Sequence, residues 1–254
     1  MACGRVMKRL SDKIALVTGS SSGIGKAVAK CFAKEGATVI ITSNSTVNKG
    51  MDVVTDIKST GGNAVYYSAD LRHRDNVKSL FQKIKTDFGR LDILVNNAGR
   101  TFSYELSSVT EESLKNDLEI NYMSAVYCSL EAIKLMKKGG HIINTASIRG
   151  FGSACRKGLI GYGGAKAAIM HFTKALANEL APDIYVNAVA PGLVMTEALS
   201  KSSPDLIEKW KKSIPIGRFI ETDELSEVYL FLATSRIFTG SIIIADGGYT
   251  LLEK

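Results

Sequence analysis

A tyrosine and a lysine stand four residues apart at Tyr162 and Lys166. This spacing places a phenol and an ammonium group on one face of a helix. A free phenol titrates near pH ~10 and exchanges protons poorly at neutral pH, whereas a neighbouring cation favours the phenolate and lowers its pKa. The pair therefore predicts an acid/base device. Because helical pairs of this spacing are common, its meaning depends on the rest of the chain.

A glycine-rich run precedes this pair by more than a hundred residues. Residues 18–25 read Thr-Gly-Ser-Ser-Ser-Gly-Ile-Gly, directly after a short apolar run and directly before a helical pattern. Gly19 suits the tight turn, Gly23 lets the backbone approach a pyrophosphate, and Gly25 lets helix and strand pack closely. The following helix presents free N–H groups and its dipole to phosphates. The context predicts a nucleotide-binding loop rather than a simple turn.

The elements that position these residues alternate between strand and helix along the chain. Short apolar runs predict seven buried strands, at 14–17, 39–41, 64–67, 93–95, 141–143, 185–189 and 242–244. Amphipathic patterns predict helices at 24–34, 75–87, 111–137, 162–180 and 223–232, the last with Thr222 as its N-cap. The alternation predicts an α/β fold with a doubly wound, seven-stranded parallel sheet and helices on both faces. One domain covers 1–254, with 1–10 as a flexible extension.

Bulk composition narrows the function classes. The 254 residues carry a net charge of +7, but the 32 basic residues are scattered, which argues against nucleic acid as the main ligand. Four cysteines without a C-x-x-C pair indicate reduced thiols and a cytoplasmic location. Three histidines without ligand spacing predict no metal site. No run reaches the ~18 apolar residues that a membrane span needs.

Several further motifs occur in a fixed order with the glycine loop and the Tyr/Lys pair. They are Asp70-Leu71, Asn96-Asn97-Ala98-Gly99, Asn121, Ser147, Pro191-Gly192 with Thr196, and Asp246-Gly247-Gly248. With these motifs, the chain resembles the short-chain dehydrogenase/reductase family from about residue 10 to residue 249, in particular its 3-oxoacyl-carrier-protein reductases. The resemblance implies a single-domain Rossmann fold and an NAD(P)(H)-dependent oxidoreductase that interconverts a carbonyl and a secondary alcohol.

The resemblance also implies a role for each catalytic residue. Tyr162 would be the general acid in reduction and the base in oxidation, and Lys166 would lower its pKa and hydrogen-bond the nicotinamide ribose. Ser147 would hold the substrate oxygen. Asn121 would anchor a water that links Lys166 to solvent. Taken singly, Ser147 could be a strand-end cap and Asn121 a residue at a helix kink.

The resemblance assigns a larger set of residues to the cofactor. These are Gly19, Ser21, Ser22, Gly23, Ile24, Gly25, Ser43, Asn44, Asp70, Leu71, Asn97, Ala98, Gly99, Tyr162, Lys166, Pro191, Gly192, Val194 and Thr196. Ser43 stands where NAD-preferring relatives carry Asp, so nothing there repels a 2′-phosphate. Ser22 and Asn44 stand where many NADP-using relatives carry basic residues, so a positive clamp is missing. We expect NADP(H) to be preferred, and NAD(H) is left open.

The substrate is less constrained than the cofactor. The expected pocket lies between residues 100–102, 148–161 and a lid helix within 193–210, with Ser147, Arg149, Tyr162 and Gly192 as substrate residues. Arg149, Arg156 and Lys157 could meet an acidic substrate or the phosphopantetheine arm of a carrier protein, or form a solvated loop. The expected substrate is a ketone or a 3-oxoacyl thioester.

Three alternatives stay open beside this expectation. One is a dehydrogenase of sugars or polyols, another is a steroid-type alcohol dehydrogenase, and the third is a non-catalytic dinucleotide-binding scaffold or sensor. The resemblance implies a homotetramer or homodimer. Beyond copies of itself, the expected partner is a small-molecule carbonyl or alcohol, with no nucleic acid and no membrane.

Overall fold

A computed structural model describes residues 8–251 of the chain. Its centre is a seven-stranded sheet in which every neighbouring pair is parallel, in the order β3-β2-β1-β4-β5-β6-β9. These strands are β1 Ile14–Thr18, β2 Thr38–Ser43, β3 Asn63–Ser68, β4 Ile93–Asn96, β5 Gly140–Thr145, β6 Ile184–Pro191 and β9 Ile242–Ala245. All seven predicted strands are confirmed, each slightly longer than its apolar run. β7 Val194–Met195 and β8 Ile220–Glu221 form a separate small pair.

Eight α-helices accompany the strands within residues 8–251. They are α1 Gly23–Lys34, α2 Val47–Ser59, α3 Arg74–Phe88, α4 Glu111–Leu118, α5 Ser124–Ala132, α6 Ile160–Leu180, α7 Pro204–Lys211 and α8 Thr222–Thr234. Alternate strand side chains bury against opposite layers: Val17 packs with α1, α2 and α8, whereas Leu16 packs with α3, α5 and α6. The sheet is therefore covered on both faces, as predicted for a doubly wound fold. No described helix is long and apolar enough to cross a membrane.

The long helix predicted at 111–137 is wrong as a single element. It is divided into α4 and α5 by a π-helical segment, Glu119–Met123, and α5 ends at Ala132. The cause lies at Asn121, whose side chain accepts from the Arg100 N–H at 3.0 Å and donates to the Arg100 carbonyl at 2.9 Å. These bonds attach the helix to the turn after β4, and single-turn π segments of this kind are frequent at functional sites.

Three smaller differences have local causes. The sequence pattern missed α2, whose exposed face includes the apolar Val47 and Met51 and therefore blurs its periodicity. The N-cap of α8 is Glu221 rather than Thr222, because Glu221 and Glu224 form a reciprocal capping box. The flexible extension predicted for 1–10 falls partly on residues 1–7, outside the described residues, but Leu10 is 1% exposed and belongs to the core.

Candidate active site

The glycine loop turns sharply at the carboxyl end of β1. Gly19 and Gly23 have φ values of 63° and 55°, which favour glycine. A Cβ on Gly19 would lie 2.8 Å from the Ala98 Cα, so the glycine lets the two loops pack together. Thr18 Oγ1 accepts from the N–H groups of Asn97 and Ala98, both at 2.9 Å. The loop after β1 and the loop after β4 are thus fixed to each other.

The start of α1 is suited to an anionic ligand. Ser22, its N-cap residue, makes no side-chain capping bond, so the first-turn N–H groups are not satisfied by a cap. No acidic residue lies in this first turn. A Cβ on Gly25 would lie 2.6 Å from the Gly19 carbonyl, which explains why the third glycine is needed for helix and loop to pack. These features fit the pyrophosphate of a dinucleotide.

A cavity of about 500 Å³ opens at the carboxyl ends of the strands, next to this loop. Its lining includes seven of the residues that the sequence assigned to the cofactor: Gly19, Ser43, Asn44, Asp70, Leu71, Ala98 and Gly99. Position and lining match the crevice in which doubly wound folds bind dinucleotides. Asp70 is held by a bidentate pair with Arg72, at 3.0 and 2.6 Å, which keeps the pKa of the Asp70 carboxyl below its ordinary value.

Other residues assigned to the cofactor border the cavity or lie outside its lining. Ser21 is buried and its hydroxyl is 2.7 Å from that of Thr46, so the side chain links the glycine loop to the start of α2. Thr196 packs against Gly23, where a Cβ would lie 3.6 Å from its methyl group. Gly192 is sterically required, since a Cβ there would lie 2.7 Å from the Asp246 Cα. Three more assigned residues, Ile24, Pro191 and Val194, lie at the start of α1, the end of β6 and in β7.

Asn121 and Lys166 meet at the inner wall of the cavity. A Cβ on Gly99 would lie 2.7 Å from Asn121 Oδ1 and 3.5 Å from Lys166 Nζ, so both groups surround one backbone position that lines the cavity. Lys166 is 4% exposed and donates to the Thr145 carbonyl at 2.8 Å. Burial lowers the pKa of its ammonium to about 8. The pKa of Lys166 therefore lies closer to neutral pH than that of an exposed lysine.

Tyr162 lies in the first turn of α6, one turn before Lys166, whose Nζ is 5.7 Å from the centre of the phenol ring. The prediction that the phenol pKa falls is wrong for the protein alone. Burial raises the pKa of Tyr162, although the nearby hydroxyls of Ser147 and Thr101 and the charge of Arg149 act in the opposite direction. A buried phenol of this kind stays protonated at neutral pH and can donate a proton.

Ser147 follows the end of β5 by two residues and is 6% exposed. Its hydroxyl accepts from the Arg149 N–H at 3.2 Å, so it caps the short 3-10 turn that follows. The Ser147 side chain thus caps this turn and also lies beside the Tyr162 phenol. A hydroxyl can donate and accept at once, so this cap still allows Ser147 to donate to a substrate oxygen.

Arg149 differs from the sequence expectation. Its side chain is not on a solvated loop: the residue is 8% exposed and donates to the Ala154 carbonyl at 3.0 Å and to the Tyr249 hydroxyl at 3.2 Å. Arg156 and Lys157 are exposed, as a loop would be. The lid helix expected within 193–210 is confined to α7, preceded by β7 and a 3-10 turn, Leu199–Lys201.

Sequence reasoning missed several residues that build the site. The Thr18 hydroxyl positions the loop after β4 through three hydrogen bonds, and the Thr145 carbonyl positions Lys166 through one. Tyr249 reaches Arg149 from the carboxyl-terminal end. Thr101 was placed only in a general pocket wall, not beside the phenol. For Thr18 and Thr145, the position at the end of an apolar run is a local sequence signal of their role. The contact between Arg149 and Tyr249 spans 100 residues and has no local signal. No group of three described metal-ligating side chains is arranged to hold an ion.

The fold and this site define a dinucleotide-dependent oxidoreductase, and comparison with known proteins identifies the family. The sequence profile described as Enoyl-(Acyl carrier protein) reductase matches residues 19–250. The chain is 37% identical to the 3-oxoacyl-[acyl-carrier-protein] reductase FabG of Chlamydia pneumoniae over 247 residues, 95% of this chain and 98% of that protein. It is 35% identical to a 3beta-hydroxysteroid dehydrogenase of Mediterraneibacter gnavus, covering 97% and 98% of the two chains.

Solved structures agree with these sequence relatives. A short-chain dehydrogenase from Burkholderia cenocepacia in complex with NADP superposes with a TM-score of 0.89 at 31% identity, covering 95% of this chain and 99% of that one. The protein belongs to the short-chain dehydrogenase/reductase family and is similar to its 3-oxoacyl-carrier-protein reductases. It is an NAD(P)-dependent oxidoreductase acting on a carbonyl or alcohol group.

Proposed function

We propose that the protein is an NADP(H)-dependent reductase of a ketone or a 3-oxoacyl thioester, with Tyr162 as the proton donor. One observation carries the proposal: Lys166 Nζ and Asn121 Oδ1 surround Gly99, which lines the 500 Å³ cavity. Lys166 and Asn121, which we expect to take part in proton transfer, therefore lie beside the crevice that we expect to bind the dinucleotide. In this family the nicotinamide supplies or accepts a hydride; the chain's own groups must orient the carbonyl and move the proton.

The arrangement supports a division of labour among four side chains. Ser147 donates a hydrogen bond to the carbonyl oxygen, and Tyr162 transfers its phenolic proton to that oxygen as negative charge develops. The ammonium of Lys166 stabilises the phenolate that results. Asn121 is bonded to the backbone N–H and carbonyl of Arg100 and so fixes the position of the helix. In this position it leaves Lys166 a route by which a proton can return. The raised pKa of Tyr162 keeps the phenol protonated at neutral pH, which is the form that reduction requires.

The preference for NADP(H) rests on the charged and hydroxyl groups at the ends of β2 and β3. Asp70 is the single carboxylate that lines the cavity, and Arg72 neutralises it. The Ser43 hydroxyl is 3.0 Å from that of Tyr66, and Ser45 lies in the lining, so hydroxyl groups rather than acids face a 2′-phosphate. Absence of repulsion is weaker than a positive clamp, and NAD(H) stays the second candidate. The ratio of kcat/KM for NADPH to that for NADH tests the preference; a clear NADH preference contradicts it.

The catalytic assignment is tested with Tyr162→Phe and a matched control, Tyr185→Phe, which alters a tyrosine that stacks on His141 at 5.1 Å on the far side of the sheet. Both are assayed for NADPH oxidation with a panel of ketones and acetoacetyl thioesters, and for NADPH binding by fluorescence. We expect Tyr162→Phe to lose nearly all turnover while NADPH binding survives, and the control to keep both. Full turnover by Tyr162→Phe excludes the mechanism.

Self-association follows from the exposed apolar residues. Ile237, Ile244 and Phe231, at the β9 edge of the sheet and on α8, are 86%, 47% and 47% exposed. Apolar side chains gathered at an open sheet edge are suited to a closed symmetric contact with another copy. We propose a homodimer or homotetramer in the cytoplasm. Light scattering tests the assembly, and a monomer at micromolar concentration excludes it.

A further inference from the structure

A second cavity, of about 330 Å³, lies between α7 and the loop that follows Ser147. Arg149, Arg156 and Lys209 contribute three cationic side chains to its lining, which contains no Asp or Glu. Arg149 is only two residues from Ser147, and its charge acts on Tyr162. Arg149 therefore connects the lining of this cavity with the surroundings of Tyr162.

Within the part of the chain that the structure describes, no carboxylate neutralises the positive charges of this cavity. Among residues 8–251, none of the ion pairs involves Arg149, Arg156 or Lys209. Arg149 is the informative member, because a guanidinium that is 8% exposed is normally paired with an anion. Its hydrogen-bond partners, a carbonyl and a phenol, are both neutral.

Aromatic rings hold two of these cations in defined orientations. The Arg149 guanidinium carbon lies 4.9 Å from the centre of the Tyr249 ring, and that of Arg156 lies 5.3 Å from the Trp210 ring. Stacking leaves the N–H groups of a guanidinium able to donate in its own plane. Arg149 uses one N–H of each terminal nitrogen for the Ala154 carbonyl and the Tyr249 hydroxyl. The remaining N–H groups match the oxygens of a carboxylate or phosphate. Among residues 8–251, the cavity thus has oriented cationic donors and no carboxylate in its lining.

We propose that this cavity binds an anionic group, a carboxylate or a phosphate, carried by the substrate whose carbonyl reacts at Tyr162. The inference rests on the proposed ketone reduction and narrows its substrate class to oxo acids or oxo phosphates. Arg149 forms the base of the site, and Arg156 and Lys209 lie at its mouth.

A binding experiment tests this independently of turnover. Trp210 is the single tryptophan of the chain and lines the cavity, so its fluorescence reports on occupancy. The probes are 4-oxopentanoate, its uncharged methyl ester and inorganic phosphate, titrated at constant ionic strength, with calorimetry as a second readout. We expect saturable binding of one or both anions and none of the ester. The tighter anion identifies the group as carboxylate or phosphate, and failure of both anions to bind overturns the inference.

Variants at the mouth of the cavity sharpen the test. Arg156→Gln and Lys209→Gln are each expected to weaken anion binding about tenfold, equivalent to about 1.4 kcal/mol. The matched control is Lys212→Gln, an exposed lysine on the same segment that does not line the cavity. Equal weakening by the control would mean a diffuse charge effect and would overturn the site. Anion binding without any turnover would reject the proposed reductase, whereas equal turnover of acid and ester would reject only this inference.

Discussion

Asp117 offers a stringent test of the packing around the reaction centre. Its carboxylate is fully buried in α4, and neither oxygen has a hydrogen-bond partner among the described residues. It packs against Gly161, where a Cβ would lie 2.4 Å from Oδ2. Burial raises the pKa of the Asp117 carboxyl. The folded state therefore holds this proton more tightly than the unfolded chain, in which the carboxyl titrates near pH 3.8.

The sign of the pH effect follows directly. Above pH 3.8 the folded protein binds more protons than the unfolded one, so the free energy of unfolding falls as pH rises toward the folded pKa. Asp117→Asn removes this titration, and Asp117→Leu also removes the unsatisfied polar group. Leaving such a group buried costs about 1–3 kcal/mol. We therefore expect Asp117→Leu to be more stable than the parent by about 1–3 kcal/mol at pH 8, and by less at pH 4.

Urea denaturation at pH 4, 6 and 8 measures this difference, with the exposed Asp52→Asn as a control that should change little at any of these pH values. Asp117 also contributes to the raised pKa of Tyr162, so the pH profile of kcat in Asp117→Asn should move to lower pH. If Asp117→Leu is less stable than the parent at pH 8, the carboxylate has a compensating partner and the reasoning is refuted.

Three further outcomes follow from the geometry. Gly25→Ala should lose about 1–3 kcal/mol of stability and most NADPH affinity, because its Cβ would lie 2.6 Å from the Gly19 carbonyl; thermal denaturation and NADPH titration measure both losses. Lys166→Met should abolish turnover yet stabilise the protein at pH 7 by up to about 3 kcal/mol, since the buried ammonium has a pKa of about 8 against 10.5 unfolded. This gain in unfolding free energy should shrink above pH 8. Ser43→Asp should shift the kcat/KM ratio toward NADH, because a carboxylate repels the 2′-phosphate.

Matched variants separate these effects from general disturbance. Gly164→Ala introduces the same methyl group where no atom lies within 4 Å, so it should retain NADPH affinity. Lys174→Met removes an exposed lysine from the same helix as Lys166 and should leave the pH dependence of stability unchanged. A destabilised Lys166→Met at pH 7, an unaffected Gly25→Ala, or an unchanged cofactor ratio in Ser43→Asp would contradict the respective reasoning.

Seven strands could be predicted from sequence because each contains a short apolar run, and the runs of the central strands are buried on both faces, a pattern that depends little on tertiary context. The glycine loop could also be predicted from sequence, since its φ values and close contacts admit few other residues. The roles of residues that depend on distant partners could not be predicted in this way. The direction of the Arg149 side chain is decided by Tyr249, 100 residues away, and the raised pKa of Tyr162 depends on burial that no local spacing encodes.

The π-helical segment at Glu119–Met123 also shifts the helical periodicity of the sequence. A π turn accommodates one additional residue, and each residue of an α-helix advances the side-chain direction by about 100°. The positions of α5 that face the sheet therefore come one residue later in the sequence than the periodicity of α4 alone would predict. Deleting one residue between 119 and 123 would restore a continuous helix and leave Cys128 and Ala132 facing the core, but it would remove the widened turn in which Asn121 bonds to Arg100. A point deletion there should therefore be more damaging than most substitutions, even though the helix itself would become more regular.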